Sequence, residues 1–375
     1  MTISAELKNK ISIVDLKAHY ENLKDEINSA VIEVLSSGHY VLGKNVTAFE
    51  KELADYLGCK YVVSCANGTD AIVLSLMALN VGSGDEVITV PNSFFATSEA
   101  IALVGAKPVF VDIKEDDFNI DPSKIEALIT DKTKAIIPVH LYGNPCEINS
   151  VTDIAKKHNL YVIEDCAQAI GAKLNGKTVG LFGNTGTLSF FPTKNLGAFG
   201  DGGAVFTDDK NIPDLIRELR AHGSSKRYEH NYIGLNSRLD EIQAAILRIE
   251  LKYLDKWILK RQEAAKYYDE LLRDISDIVL PVFKSASRHV FHQYTIRVDK
   301  RDELNKKLNE KGIEVLIYYP VPIHLQKAFS YLGYKKGSFP ITEKISTEVL
   351  SLPMYPEITK EIQEYVVSAI KGIIN

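Results

Sequence analysis

Short apolar runs alternate with amphipathic stretches of helical length along the first half of the chain. The runs are rich in β-branched residues, are bounded by Gly, Pro, Asn or Asp, and predict strands at 60–66, 85–91, 107–113, 134–143 and 160–167. Helices are predicted between them at 69–79, 93–104, 123–129 and 150–158. This order is typical of a doubly wound, mostly parallel α/β sheet. Such sheets bind ligands at the carboxyl ends of their strands.

The pattern changes after about Arg248. The predicted elements of this second part are a long charged helix, two strands with a Lys-rich helix between them, and a terminal helix, at 247–273, 292–298, 313–319 and 360–373. We therefore predict a large domain over 1–249 and a smaller C-terminal α/β domain over 250–375, and 375 residues are enough for two cores. The first forty residues are expected to wrap back onto one of the two domains.

Composition excludes several classes of protein. The formal net charge of -5 gives no field suited to nucleic acid. The start of the chain has no apolar core of signal-peptide length, and no run is long enough to span a membrane, so a cytoplasmic protein without a membrane partner is expected. The cysteines and histidines show no metal-ligand spacing, which predicts no metal site, and thiols this far apart fit a reducing compartment.

Two features of the sequence stand at the ends of predicted strands. In the segment 65–71, Gly68 and Thr69 fall in the first turn of a helix, where free amides and the helix dipole favour a phosphate. Asp165 ends another strand, with Gln168 three residues on, and a carboxylate there can hold a pyridine nitrogen protonated. Taken alone, the segment 65–71 also fits an ordinary helix N-cap, and Asp165 also fits a solvated acid or a helix cap.

The third feature is Lys194, which follows an apolar strand and precedes a glycine-rich loop, 197–203. Glycines let the backbone approach a ligand closely, and a desolvated lysine can form a Schiff base. Most lysines are surface charges, so Lys194 alone carries little weight. An anion-binding helix start, then an acid that ends a strand, then a lysine about thirty residues later together predict a fold-type I pyridoxal-phosphate (PLP) enzyme.

At these residues the chain resembles the sugar aminotransferases of the DegT/DnrJ/EryC1/StrS family. The resemblance extends over nearly the whole chain, through the segments 37–43, 66–71, 164–168, 188–204, 234–245 and 351–354. It implies the aspartate aminotransferase-like fold of fold-type I PLP transferases, PLP as the cofactor, and an amino donor that is expected to be L-glutamate.

The resemblance also implies roles for single residues. Lys194 is expected to be the PLP-binding and catalytic lysine, and Asp165 the partner of the pyridine nitrogen. The other implied cofactor contacts are Gln168 at the PLP hydroxyl, Gly68, Thr69 and Ser189 at the phosphate, Phe94 stacked on the ring, and Asn236 reaching the phosphate from the second subunit of a homodimer. The implied substrate contacts are Arg238, Tyr318, His324, Lys226 and Arg227, of which Lys226 and Arg227 fit a solvated loop equally well.

The residues around the lysine point to the substrate. The sequence of residues 191–197 resembles the corresponding segment of family members that aminate C3 of a hexose. Thr193 stands where members acting on dTDP-linked 3-oxo-6-deoxyhexoses have Gly. We therefore favour a UDP-linked 2-acetamido-3-oxo-hexose, for surface-polysaccharide or lipid A type amino sugars, with the dTDP-linked sugar as the alternative. Tyr318, where members that take a uronic acid often have His, argues against a uronate.

Two other functions are possible on this fold. A PLP-dependent sugar dehydratase would replace the lysine by His or add an iron–sulfur cysteine set, and neither is present. A non-catalytic nucleotide-sugar or PLP-binding regulatory protein would tolerate loss of Lys194 or Asp165, and both are intact. His140 ends a predicted strand and could line the site, and His222 and His324 are lesser candidates; a structural or surface role is favoured for each.

Overall fold

The computed structural model describes residues 10–282 and 286–374. Its strands, in chain order, are β1 (Tyr61–Cys65), β2 (Glu86–Thr89), β3 (Lys107–Phe110), β4 (Thr133–Ile136), β5 (Tyr161–Asp165), β6 (Lys173–Leu174), β7 (Lys177–Thr178), β8 (Thr185–Ser189), β9 (Gly203–Thr207), β10 (Ser224–Lys226), β11 (Glu229–His230), β12 (Ile278–Val279), β13 (Ser287–Arg288), β14 (Tyr294–Val298) and β15 (Val349–Leu352). The five strands predicted in the first half are confirmed as β1 to β5, although the run 134–143 forms a strand only in its first part.

Seven of these strands form one sheet in the order β1-β9-β8-β5-β4-β2-β3. Neighbours from β8 to β3 are parallel, and β9 runs antiparallel to both β1 and β8. The predicted mostly parallel α/β sheet is confirmed. Because β1, β5 and β8 point the same way, their carboxyl ends meet at one edge of the sheet, and the amino end of β9 joins them there.

The helices pack on this sheet and beyond it. They are α1 (Leu16–Ser37), α2 (Lys44–Leu57), α3 (Gly68–Ala78), α4 (Ala96–Leu103), α5 (Ile148–Lys157), α6 (Pro213–Leu219), α7 (Glu241–Leu251), α8 (Leu254–Leu272), α9 (Arg301–Glu310), α10 (Pro340–Glu348) and α11 (Lys360–Ile374). Helix α3 is apolar on most sides because its residues 71–76 are all buried between the sheet and α4. The predicted helix at 123–129 is wrong: that segment forms two short 3-10 turns.

The second half differs from the prediction in two places. The single helix predicted at 247–273 is two helices, α7 and α8, which break at Lys252 and Tyr253. The run 313–319 is not a strand, because Leu316 alone bridges β15, through Ser351. The strand at 292–298, the Lys-rich helix and the terminal helix are confirmed as β14, α9 and α11. The strands β12, β14 and β15 form a small antiparallel sheet.

The N-terminal segment lies against both parts of the chain. Ile11 pairs with Ile313, and α1 packs on α7. Helix α1 begins where Asp15 Oδ1 accepts a hydrogen bond from the amide of Ala18 at 2.9 Å, and it ends at Gly38, whose positive φ only glycine adopts easily. Residues 1–9 of the predicted wrapping segment lie outside the described residues.

The predicted domain boundary at 249/250 falls inside helix α7, and the division into 1–249 and 250–375 stays a prediction. Helix α8 contributes Leu254 and Ile258 to a core shared with the large sheet, and Ala265 and Tyr268 to the core around the small sheet. No helix in residues 10–282 and 286–374 combines the length and the apolar composition that crossing a bilayer requires.

Candidate active site

A cavity of about 420 Å³ opens at the edge where the carboxyl ends of β1, β5 and β8 meet. Eight residues predicted from the sequence line it: Gly68, Thr69, Phe94, Asp165, Gln168, Ser189, Lys194 and Tyr318. They come from segments up to 250 positions apart in the chain. The cavity therefore gathers the lysine, the acid and the anion-binding turn in one place.

Lys194 lies in a closed loop between β8 and β9, which we call the lysine loop (190–202). The loop is closed by hydrogen bonds from the amide of Phe190 to the carbonyl of Gly202 and from the amide of Ala198 to the carbonyl of Phe190, both at 2.7 Å. Burial lowers the pKa of Lys194 to about 8, although the carboxylate of Asp165 opposes the shift. About one tenth of this amine is therefore unprotonated at about pH 7, far more than for an ordinary lysine, and the unprotonated form is the one that a nucleophilic lysine requires.

Asp165, the last residue of β5, presents its carboxylate to the cavity. Oδ2 accepts a hydrogen bond from Thr97 Oγ1 at 2.8 Å, and Oδ1 accepts one from the amide of Ala167 at 3.0 Å. Thr97 is in turn hydrogen-bonded to Ser93 at 2.9 Å. These contacts fix the carboxylate in one orientation, which suits a partner for a positively charged ring nitrogen.

The neighbouring acid, Glu164, faces the other side of the sheet. It is fully buried and accepts hydrogen bonds from the amides of Gly180, Phe182 and Gly183 at 2.7–2.8 Å. Its Oε2 also lies 3.0 Å from Nε2 of the buried His140. His140 thus belongs to a structural pair and not to the cavity lining, as its favoured role predicts.

The start of helix α3 forms the anion-binding part of the cavity. Asn67 Oδ1 caps the helix by accepting a hydrogen bond from the amide of Asp70 at 2.8 Å, which leaves the amides of the first turn turned toward the cavity. A Cβ added at Gly68 would lie 2.6 Å from Cβ of Ser189, and one added at Gly203 would lie 2.3 Å from the carbonyl oxygen of Asn67. Glycine is therefore required at both places for the strands and the turn to approach this closely.

Gln168 is held with its amide group in a defined orientation. Its Oε1 accepts a hydrogen bond from the amide of Tyr142 at 2.6 Å, so Nε2 is the group left to donate, and it donates to the Tyr319 hydroxyl at 3.1 Å. The ring of Phe94, which is 56% exposed, lies 6.0 Å from that of Tyr319. An exposed aromatic ring at the mouth of the cavity can stack on a flat cofactor.

The remaining predicted residues do not line the cavity of this chain. Lys226 and Arg227 are exposed on a short hairpin, where Lys226 lies 3.8 Å from Glu229. Asn236 is exposed and Arg238 partly exposed, so their predicted contacts, that of Asn236 across a dimer, stay predictions. His324 is buried, and its Nε2 lies 3.0 Å from Glu343, which leaves its predicted substrate contact without structural support.

Several cavity residues were not predicted as cofactor or substrate contacts: Thr97, Asp201, His292 and Tyr319, and also Thr193, which the sequence analysis used only to distinguish substrates. Thr97 and Tyr319 lie far from Asp165 and Gln168 in the chain, and only the fold brings them together. A signal existed for Thr193 and Asp201, which flank Lys194 and its glycine loop. Burial, with the nearby charges of Lys194 and Arg261, lowers the pKa of His292 well below its ordinary value, so this ring stays neutral in the cavity.

The residues fit PLP. A lysine with a lowered pKa, a fixed carboxylate and a helix start narrowed by Gly68 and Ser189 match the aldehyde, the ring nitrogen and the phosphate of this cofactor. Within residues 10–282 and 286–374, no three His, Cys, Asp or Glu side chains converge as metal ligands would.

The sequence profile of the DegT/DnrJ/EryC1/StrS aminotransferase family matches residues 21–371. The chain belongs to this family. A relative in Geobacillus stearothermophilus, called pleiotropic regulatory protein, is 51% identical over 96% of this chain and 97% of its own length. The UDP-N-acetyl-3-dehydro-alpha-D-glucosamine 3-aminotransferase of Acidithiobacillus ferrooxidans is 47% identical over 94% of each chain. The dTDP-3-amino-3,6-dideoxy-alpha-D-galactopyranose transaminase of Aneurinibacillus thermoaerophilus is also 47% identical, over 96% of this chain and 98% of its own.

Solved structures agree with this assignment. The crystal structure of S. venezuelae DesV in complex with a ketimine intermediate has a TM-score of 0.95 and 41% identity, and the match covers 97% of this chain and 98% of that one. NtdA from Bacillus subtilis with bound cofactor PMP has a TM-score of 0.87 and 36% identity over 94% and 82% of the two chains. The predicted fold and cofactor are confirmed: the chain is a PLP-dependent nucleotide-sugar aminotransferase of the fold-type I architecture.

Proposed function

We propose that this enzyme transfers an amino group from L-glutamate to C3 of a nucleotide-linked 3-oxo sugar, with a UDP-linked 2-acetamido-3-oxo-hexose as the favoured substrate. The observation that carries the proposal is that Phe191 and Thr193 line the cavity beside Lys194. The residue types at these two positions are the ones that favour a UDP-linked over a dTDP-linked substrate. The 47% identity to the Acidithiobacillus ferrooxidans aminotransferase supports it. The product then enters the synthesis of surface-polysaccharide or lipid A type amino sugars in the cytoplasm.

A dTDP-linked 3-oxo-6-deoxyhexose is the second candidate substrate. The transaminase of Aneurinibacillus thermoaerophilus, whose name gives a dTDP-linked 3-amino sugar, is as similar to this chain, at 47% identity. Overall similarity therefore does not separate the two nucleotides, and the choice depends on Thr193. A non-catalytic regulator, the alternative of another class, would give no amino transfer to any sugar.

Lys194 and Asp165 carry the chemistry in this proposal. When bound, PLP supplies an electron sink that stabilises negative charge at the carbon that loses a proton. Unprotonated Nζ of Lys194 takes the proton from Cα of the amino donor and, in the second half-reaction, delivers a proton to C3 of the sugar. Asp165, fixed by Thr97, keeps the ring nitrogen protonated.

The other predicted residues bind and orient. The amides of Gly68 and Thr69, with the Ser189 hydroxyl, hold the phosphate, Gln168 Nε2 donates to the ring hydroxyl, and Phe94 stacks on the ring. Tyr318, which lines the cavity, contacts the substrate. In a homodimer, Asn236 reaches the partner's phosphate, and a basic group made of Arg238, Lys226 and Arg227 meets the diphosphate of the sugar nucleotide.

The reverse reaction tests the proposal. The purified enzyme with PLP and 2-oxoglutarate is incubated with UDP- and dTDP-linked 3-amino sugars and with 4-amino isomers, and glutamate release is followed. We expect glutamate from the UDP-linked 2-acetamido-3-amino sugar at the highest kcat/KM and none from Lys194→Ala. A preference for the dTDP sugar selects the second candidate, activity on 4-amino isomers alone refutes the C3 assignment, and full turnover by Lys194→Ala refutes the proposed role of this lysine.

A further inference from the structure

A second, small cavity of about 20 Å³ adjoins the lysine loop. Thr193 and Lys194 line it, together with His19 from helix α1, Trp257 from α8 and Glu357 from the segment before α11. The catalytic lysine therefore shares this cavity with side chains that lie outside the cofactor cavity and that come from three distant parts of the chain.

Two side chains of helix α7 accept hydrogen bonds from backbone amides of the lysine loop. Gln243 and Glu250 are seven residues apart, two helical turns, and so lie on the same face of α7. Gln243 Oε1 accepts a hydrogen bond from the amide of Phe199 at 2.8 Å, and Glu250 Oε2 accepts one from the amide of Gly197 at 3.3 Å. Two backbone amides of the loop that carries Lys194 are thus tied to one rigid helix.

Glu250 is in turn tied to the N-terminal helix. Nε2 of His19 lies 3.1 Å from Glu250 Oε1, and Nδ1 of His19 lies 3.5 Å from Glu357 Oε1. Because both ring nitrogens face carboxylate oxygens, the doubly protonated imidazolium fits this place, donating on both sides. Burial lowers the pKa of His19, but the hydrogen bonds to Glu250 and Glu357 outweigh burial and raise it to about 9. The ring also packs on Trp257, with a centroid separation of 4.5 Å.

The burial of Glu250 makes this pairing necessary. Its side chain is 1% exposed, and a buried carboxylate is strongly disfavoured unless it is paired. Burial raises the pKa of Glu250, and the hydrogen bond from His19 counters that shift. Without the imidazolium, the Glu250 carboxylate would keep, among the described residues, only the amide of Gly197 as a hydrogen-bond donor. It would then have to take up a proton or move, and the lysine loop would move with it.

We propose that Glu250 is a positioning residue for Lys194: it holds the lysine loop through Gly197, and His19 of the N-terminal helix holds Glu250. Helix α1 is then part of the machinery that places the reactive amine opposite Asp165. The inference rests on the proposed role of Lys194 as the PLP-binding lysine and adds two residues, His19 and Glu250, that touch neither cofactor nor substrate.

The test compares Glu250→Gln and His19→Gln with a matched control, His158→Gln. His158 also lies close to a glutamate, Glu126, at 2.9 Å, but this pair is on the surface. Each full-length variant is measured for PLP dissociation on dialysis, for the pH midpoint of the visible absorption of bound PLP, for kcat and KM separately, and for Tm. We expect Glu250→Gln and His19→Gln to weaken PLP binding by about tenfold, the size of one lost charged hydrogen bond.

The visible spectrum separates positioning from simple stability. If Lys194 moves relative to Asp165 in Glu250→Gln or His19→Gln, the pH midpoint of the spectrum shifts and kcat falls more than KM rises. The control His158→Gln should leave the midpoint, kcat and KM unchanged. A lower Tm in both Glu250→Gln and His19→Gln, with an unchanged midpoint and unchanged PLP binding, overturns the inference. If Glu250→Gln does not fold, His19→Gln decides. Lys194→Ala is measured in parallel: a normal visible spectrum in that variant refutes the proposed role of Lys194 itself, and only its loss makes the other variants informative.

Discussion

The amine of Lys194 is expected to lose its proton near pH 8 in the protein without bound cofactor. Burial lowers its pKa from the ordinary lysine value to about 8, and Asp165 limits the shift. At about pH 7.5, a lysine with a pKa of about 8 is roughly one quarter unprotonated, whereas an ordinary lysine is unprotonated in roughly one molecule in a thousand. Burial in this cavity therefore multiplies the reactive fraction of the amine by about 200-fold.

Competitive labelling measures this fraction directly. The cofactor-free protein is acylated with trace reagent at a series of pH values, digested, and the label at each lysine is read by mass spectrometry. Lys107 is a control in the same digest, because its hydrogen bond to Glu86 at 2.9 Å raises its pKa above the ordinary value. Labelling of Lys194 should rise with an inflection near pH 8 and that of Lys107 far above it. An inflection of Lys194 above about pH 10, the ordinary lysine range, refutes the argument from burial.

The same assay on Asp165→Asn tests whether Asp165 raises the pKa of Lys194 and so opposes the effect of burial. The carboxylate of Asp165 favours the protonated lysine, so its removal should move the inflection of Lys194 to a lower pH and make the free amine more reactive. Turnover should nevertheless fall, because the variant lacks the negative charge that keeps the ring nitrogen protonated. An inflection that stays or moves to a higher pH would show that Asp165 and Lys194 do not interact as the structure indicates.

Three further predictions concern packing and hydrogen bonds around the cavity. Gly68→Ala places a Cβ 2.6 Å from that of Ser189, so PLP titration should show binding weaker by about 5- to 150-fold, from an overpacking cost of about 1–3 kcal/mol. Thr97→Val removes the 2.8 Å hydrogen bond to Asp165 and should lower the free energy of unfolding in urea by about 1.5–3 kcal/mol, whereas the adjacent control Ser98→Ala, whose buried hydroxyl has no partner among the described residues, should cost less. The carboxylate of Glu241 accepts hydrogen bonds from the amides of Gly43, Asn45 and Val46 at the start of α2, where the N-cap residue Gly43 has no side chain to do so. Glu241→Ala removes this acceptor and should lower Tm by several degrees in a thermal melt.

The sequence was sufficient for the parts of the molecule that local patterns determine. The strands that end at Cys65 and Asp165 follow from β-branched runs, and the position of Asp165 in the crevice follows from the rule for parallel sheets. The break between α7 and α8 was not predictable, because Lys252 and Tyr253 carry no glycine or proline signal. The run 313–319 has strand composition but forms only isolated bridges among the described residues, from Ile313 to Ile11 and from Leu316 to Ser351, since tertiary placement and not propensity decides pairing.

The adjacent acids Glu164 and Asp165 illustrate what the fold adds to the sequence. Successive residues of a strand point to opposite faces, so one carboxylate meets the cavity and the other the core behind the sheet. Glu164 has its oxygens filled by three amides of the turn 180–183 and by the ring of His140, so it anchors the strand. Among the described residues, the Asp165 carboxylate accepts hydrogen bonds from Thr97 and from the amide of Ala167 alone, which leaves acceptor capacity directed at the cavity. The rigid backing by Glu164 fixes where Asp165 lies, and the unfilled capacity of Asp165 is what a protonated ring nitrogen requires.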